Sequence, residues 1–138
     1  MPNFLANILA LPFMPLVIRI LLTFMFWASG LFHLTQWDAN VQVLTANGWG
    51  SPVVLNTAIV ATNLIGSALI IQGRFAWLGA AGLMVFTALT VFLVHNFWTM
   101  QPPAAIPEML VAFEHVTVIG ALLLFLLYDQ RSRAGSTA

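Results

Sequence analysis

Apolar positions along this chain neither alternate nor keep to one helical face; they run in four long blocks separated by short polar breaks. A bilayer core of about 30 Å needs roughly 20 apolar residues in a helix, because each residue rises about 1.5 Å. The blocks Phe13 to Leu34, Val53 to Ile71, Phe75 to Trp98 and Pro107 to Tyr128 meet that length. Pro12 and Pro15 suit the start of the first, and Ser51-Pro52 opens the second. Strands spanning a membrane would alternate, and these do not. The pattern predicts an all-α protein: one integral membrane domain over residues 1–138, built as a transmembrane four-helix bundle.

The connections differ in kind. Gln72-Gly73-Arg74 predicts a tight turn, making an antiparallel hairpin of the second and third helices. Thr35 to Ser51 is longer, and its middle, Ala39 to Ala46, suits a short interfacial helix; Thr99 to Ile106 holds Pro102-Pro103 and reads as a stiff loop. Arg74 in the middle turn and Arg131 and Arg133 in the tail face loops that carry only Asp38 and Glu108. The positive-inside rule then predicts both termini in the cytoplasm. Trp37, Trp49, Trp98 and Tyr128 fall at span ends, where an aromatic belt places them.

Composition agrees. The chain is 61% hydrophobic and 6% charged, with a mean hydropathy of +0.97, whereas a soluble domain is about 25% charged. Most of its outer surface must therefore meet lipid. Net charge is zero, so no basic patch points to nucleic acid. The absence of cysteine excludes thiolate chemistry, iron–sulfur ligation and covalent c-type haem. The apolar start lacks a basic leader region, and its first charge, Arg19, lies inside the apolar run; the segment reads as retained.

Ionisable groups inside spans are costly and usually face the bundle interior, so each is a functional candidate. Arg19, Thr23, Phe26, Gly30 and His33 recur at steps of four and three and share one helical stripe. The alternative for Arg19 is a side chain snorkelling to the headgroups. Asn56 and Asn63 lie seven apart on one face of the second helix, where asparagine commonly bonds helix to helix. Gly79 and Gly82 with Ala80 and Ala81 read as packing residues.

The layer opposite the arginines is richer. His33 ends the first helix, His95-Asn96 closes the third, and Glu114-His115 lies early in the fourth. The last two are about 100° apart on their helix, so one of them at most points at any single ligand. A buried carboxylate beside an imidazole can pass protons, and a quinone headgroup needs such groups next to apolar walls. A metal site or a bis-histidine haem between His95 and His115 is a less favoured reading, because no HxxxH or ExxH pair lies on one helix. The bland reading is that these groups hydrogen-bond one another and lock the helices together.

Arg19 followed by Ala28-Ser29-Gly30-Leu31-Phe32-His33-Leu34, the Gly48-Trp49-Gly50-Ser51-Pro52 entry to the second helix, the Gln72-Gly73-Arg74 turn and His95-Asn96-Phe97-Trp98 together resemble DoxX-family membrane proteins. The resemblance extends from about Arg19 to Tyr128 and implies a small bacterial inner-membrane protein of four helices. Relatives include a DoxD-type subunit of thiosulfate:quinone oxidoreductase, and most have no assigned activity. Two positions depart from the family pattern: its common lysine is His33 here, and an expected glutamate is Asn63. The leading expectation is a quinone-linked or redox-associated membrane subunit whose pocket draws on Arg19, His33, Asn63, His95, Glu114 and His115 and which works with a protein partner or as a homo-oligomer. The alternatives are a non-catalytic anchor or assembly factor and a small-solute transporter, although the two halves of the chain show no repeat.

Overall fold

In the computed structural model, residues 2–135 are described; Met1 and residues 136–138, the ends expected in the cytoplasm, lie outside that range. The described residues form helices α1 (Asn3–Leu9), α2 (Met14–Leu22), α3 (Phe24–Thr35), α4 (Trp37–Ala46), α5 (Pro52–Gln72), α6 (Ala76–Leu93) and α7 (Ala105–Gly135), with a 3₁₀ turn at Phe97–Thr99 and no strand. Three helical stretches are long and apolar enough to cross a membrane: α5, α6 with the 3₁₀ turn, and α7. A fourth crossing requires a broken helix; α1 and α2 are apolar enough together but meet at 82°.

The first expected span is divided at Thr23. Its hydroxyl donates to the Arg19 carbonyl at 2.8 Å, and the Trp27 indole N–H donates to the Ile20 carbonyl at 3.3 Å. Threonine back-bonding of this kind bends helices; the Arg19 carbonyl keeps its backbone bond from the Thr23 N–H at 3.2 Å as well. Beyond it the chain stays beside α5. Arg19 packs on Gly73 at one end of α5, Gly30 on Leu64, and His33 on Asn56 at the other end. α2 and α3 thus flank α5 from end to end, antiparallel to it.

α5 is the central helix, packed on α3 and α6, while α6 also carries α7. Gly66 and Gly79 bring the backbones of α5 and α6 together: a Cβ on Gly79 would stand 2.5 Å from the Gly66 carbonyl oxygen. Gly82, expected to pack likewise, faces open space. α5 ends at Gly73, whose φ of +82° is the left-handed cap that reverses the chain into α6. α4 fills the long connection where a short helix was expected, and α7 runs to Gly135, past the expected end at Tyr128.

The core is slim: Phe26, Ile70, Leu83 and Leu122 are its large fully buried apolar side chains. Phe92 and Leu124 are 65% and 68% exposed, and many large apolar side chains share their situation. An apolar exterior on apolar helices is what contact with a lipid bilayer requires.

Candidate functional site: a histidine-lined chamber

At the end of the bundle where α4 lies, a cavity of about 310 Å³ opens between α3, α5, α6 and α7. His33, His95 and His115 line it together with Asn63, and Phe26, Ile59 and Phe86 give it apolar walls. Each imidazole comes from a different segment: the last turn of α3, the residues just after α6, and the third turn of α7. α6 stops at Leu93, and the His95 amide turns back to bond the Thr90 carbonyl at 3.0 Å. That turn carries the His95 ring over the bundle.

All three rings are anchored through Nδ1. His33 bonds the Asn56 side-chain oxygen at 2.8 Å, His95 the Glu108 carboxylate at 2.7 Å and His115 the Val111 carbonyl at 2.9 Å. An amide oxygen, a carboxylate and a carbonyl all accept, so Nδ1 is the donor in each case. Nε2 of each neutral ring is then an acceptor, and it becomes a second donor when the ring is protonated. The His95 and His115 rings meet edge to face with centroids 4.9 Å apart. That contact leaves no room for a porphyrin between them, so the haem reading of this pair does not fit. Among the described residues no three His, Cys, Asp or Glu side chains gather as a metal-binding group.

Asn63 contributes most to the chemistry of the chamber. It is 1% exposed, yet neither its amide nitrogen nor its oxygen has a hydrogen-bond partner in the protein. The Asn56 amide nitrogen and the Ser67 hydroxyl on the same helix are also buried and unpaired. Each such group costs about 1–3 kcal/mol, so this face of α5 stores hydrogen-bonding capacity that the protein itself does not use.

The remaining candidates lie elsewhere. Glu114 is exposed on the outer side of α7 between exposed Phe113 and Val116, while its neighbour His115 lines the chamber. The carboxylate that meets His95 belongs instead to Glu108, which reads from sequence as a loop charge. Its placement in the first turn of α7 favours an acid there and is the signal that could have found it. Arg19 sits at the opposite end of the bundle. Its guanidinium lies 3.6 Å from the Asp129 carboxylate, which also takes a bond from Arg133 Nε at 2.8 Å, and Arg133 donates to the Gly73 carbonyl. Asp129, 8% exposed, was not among the expected residues; its i,i+4 spacing to Arg133 was the available signal.

Comparison with known proteins places these features. The inner membrane protein YphA of Escherichia coli (strain K12) is 27% identical over 115 residues, covering 83% of this chain and 82% of that protein. No solved structure matches. The DoxX family profile matches residues 14–96, from the start of α2 through Asn96, and so includes Arg19, His33, Asn63 and His95 but not Glu108, His115 or Asp129. A match over more than half of the chain, on an all-helical apolar architecture, establishes that this protein belongs to the DoxX family.

Proposed function

We propose that this protein is an inner-membrane subunit that binds the ring of a membrane quinone in the histidine-lined chamber and handles the protons of its reduction or oxidation. In this reading four spans cross the membrane, the first formed by α2 and α3, with both termini in the cytoplasm and the chamber near the periplasmic face. The placement of Arg19, Arg74, Arg131 and Arg133 at the end opposite the chamber supports that orientation. Residues 1–138 then act as one membrane domain.

The observation that carries the reading is one chamber joining three Nδ1-anchored imidazoles to the unpaired amide of Asn63. A quinone offers two carbonyl acceptors, which the Asn63 NH₂ and a protonated His95 Nε2 suit as donors. The corresponding quinol offers two hydroxyl donors, which the Asn63 oxygen and a neutral His115 Nε2 suit as acceptors. Conversion of quinone to quinol takes two electrons and two protons. This chain has no thiol and no nucleotide motif, so the electrons come from a partner protein. Glu114 supports a partner: an ionisable side chain on the outer face of a span is expensive against lipid and suits a protein contact.

The test is purification with native lipid followed by extraction and chromatography. Wild type is expected to carry quinone, and Asn63→Leu and His95→Ala to lose it while keeping their helicity. Absence of quinone from wild type, with no saturable binding of added benzoquinone, would sink the reading.

A further inference from the structure

A second cavity, of about 670 Å³, lies between α5 and α6 beneath α4. Five residues, Leu44, Ile59, Phe86, Thr90 and Val94, line both it and the histidine chamber, so the two spaces meet along a shared wall. Its walls on α6 run from Ala81 to Leu93, about 18 Å along the axis at the helical rise. They are almost wholly apolar, with Ala58, Val85 and Leu89 typical and Asn47, Thr62 and Thr90 the exceptions. Gly82 lies toward the far end, where a Cβ would touch nothing. The cleft therefore starts beside the histidines and descends along α6 toward the arginine-bearing end.

We propose that this cleft holds the hydrocarbon tail of the same molecule whose ring occupies the chamber, a proposal that rests on the ring-binding reading above. Three features select an amphiphile's tail over a second, separate ligand. The cleft is long, running beside α6 from Ala81 to Leu93, as a chain is and a ring is not. It is almost wholly apolar, and along the five shared lining residues it borders the polar chamber. The exposed side chains of Val85 and Leu89 open it sideways to the surrounding lipid, so a tailed ligand enters from the bilayer between α5 and α6 without crossing water. Against lipid the tail gains little from the hydrophobic effect, because lipid chains are equally apolar. Its role is to align the ring under the imidazoles, and position is what the experiment must read.

The probe is a methoxy-substituted benzoquinone whose saturated alkyl tail ends in a diazirine, added to the full-length protein in nanodiscs, irradiated and mapped by peptide mass spectrometry. Label is expected on the α5 and α6 walls around Ala58, Val85 and Leu89, with saturable uptake that excess tail-less benzoquinone blocks. Gly82→Phe, which fills open space rather than a packed contact, is expected to remove most label from the far end of the cleft while ring-blocked uptake persists. Saturable, ring-blocked labelling that maps outside the cleft overturns the tail assignment and leaves ring binding standing. Labelling of cleft residues that tail-less benzoquinone does not block assigns the cleft to ordinary lipid chains, which also overturns it. Labelling that is neither saturable nor blocked removes the ring-binding reading and this one with it.

Discussion

Replacing Gly79 by alanine tests the close crossing of α5 and α6. The added Cβ would stand 2.5 Å from the Gly66 carbonyl oxygen and 3.0 Å from the Leu69 Cβ, where ordinary contact begins at 3.4 Å. The first obstacle is backbone, so no rotamer change relieves it, and α5 and α6 must separate by roughly 0.9 Å. A gap of that order forfeits a quarter to a half of the dispersion energy of each facing atom pair, and overpacking of this kind costs about 1–3 kcal/mol. Alanine returns about 0.5–1 kcal/mol through its better helix propensity. Gly82→Ala, three residues on, collects the same propensity gain and meets nothing within 4 Å. Comparing the two variants therefore cancels the propensity term and isolates the crossing. Reversible unfolding in mixed micelles, followed by helicity, should place Gly79→Ala below Gly82→Ala by about 1–3 kcal/mol. Equal stability would refute the close α5–α6 crossing.

Four further outcomes follow from the same geometry. Asn63→Leu replaces an unpaired buried amide with an apolar side chain, so its stability should match wild type or exceed it by about 1 kcal/mol, while quinone retention is lost; loss of stability instead would show that the amide bonds the helices. Glu108→Gln removes the charge from the 2.7 Å bond to His95; with Glu108 about a third exposed the stability loss should be about 1 kcal/mol, and nitrogen NMR of the labelled imidazole should show His95 losing its fixed tautomer. Asp129→Asn leaves the Arg19 and Arg133 guanidinium groups facing one another across Gly73, so thermal stability should fall, and adding Arg19→Leu should restore part of it; no recovery would mean that the two side chains act independently. Glu114→Leu should leave the isolated protein as stable as before and weaken co-purification of its partner on native gels, whereas a destabilised monomer would place Glu114 inside the fold.

The sequence made the spans legible because apolar runs in lipid are constrained by length alone. It located the second helix within a residue at each end, and the Gln72-Gly73-Arg74 turn followed from glycine's tolerance of a positive φ. The break at Thr23 was not legible, since a lone threonine in an apolar helix gives no breaking signal until its hydroxyl and the Trp27 indole are seen to take the carbonyls. His33, His95 and His115, far apart in sequence, line one cavity. Its carboxylate was misjudged for a reason specific to helices. Glu114 and His115 are neighbours in sequence but about 100° apart around the axis, and hydropathy does not say which faces inward. The carboxylate that meets His95 is that of Glu108, whose first-turn position in α7 was legible but whose pairing depends on α6 ending at Leu93.

What separates a binding chamber from polar glue is the accounting of hydrogen bonds within it. Glue leaves partners satisfied. His95 with Glu108 meets that description, and His33 meets it through the Asn56 oxygen while the Asn56 amide nitrogen stays unpaired; alone, such pairs would support a scaffold whose polar layer only joins helices. Asn63 does not meet it: the amide is 1% exposed, lines the same cavity as all three imidazoles, and has no partner in the protein for either of its polar atoms. The satisfied pairs fix the orientation of the rings, and the unsatisfied amide across the chamber supplies the donor and acceptor that a ligand would use. Pre-paired groups on one side and free capacity on the other are what the proposed ring-binding site would require of a preorganised pocket.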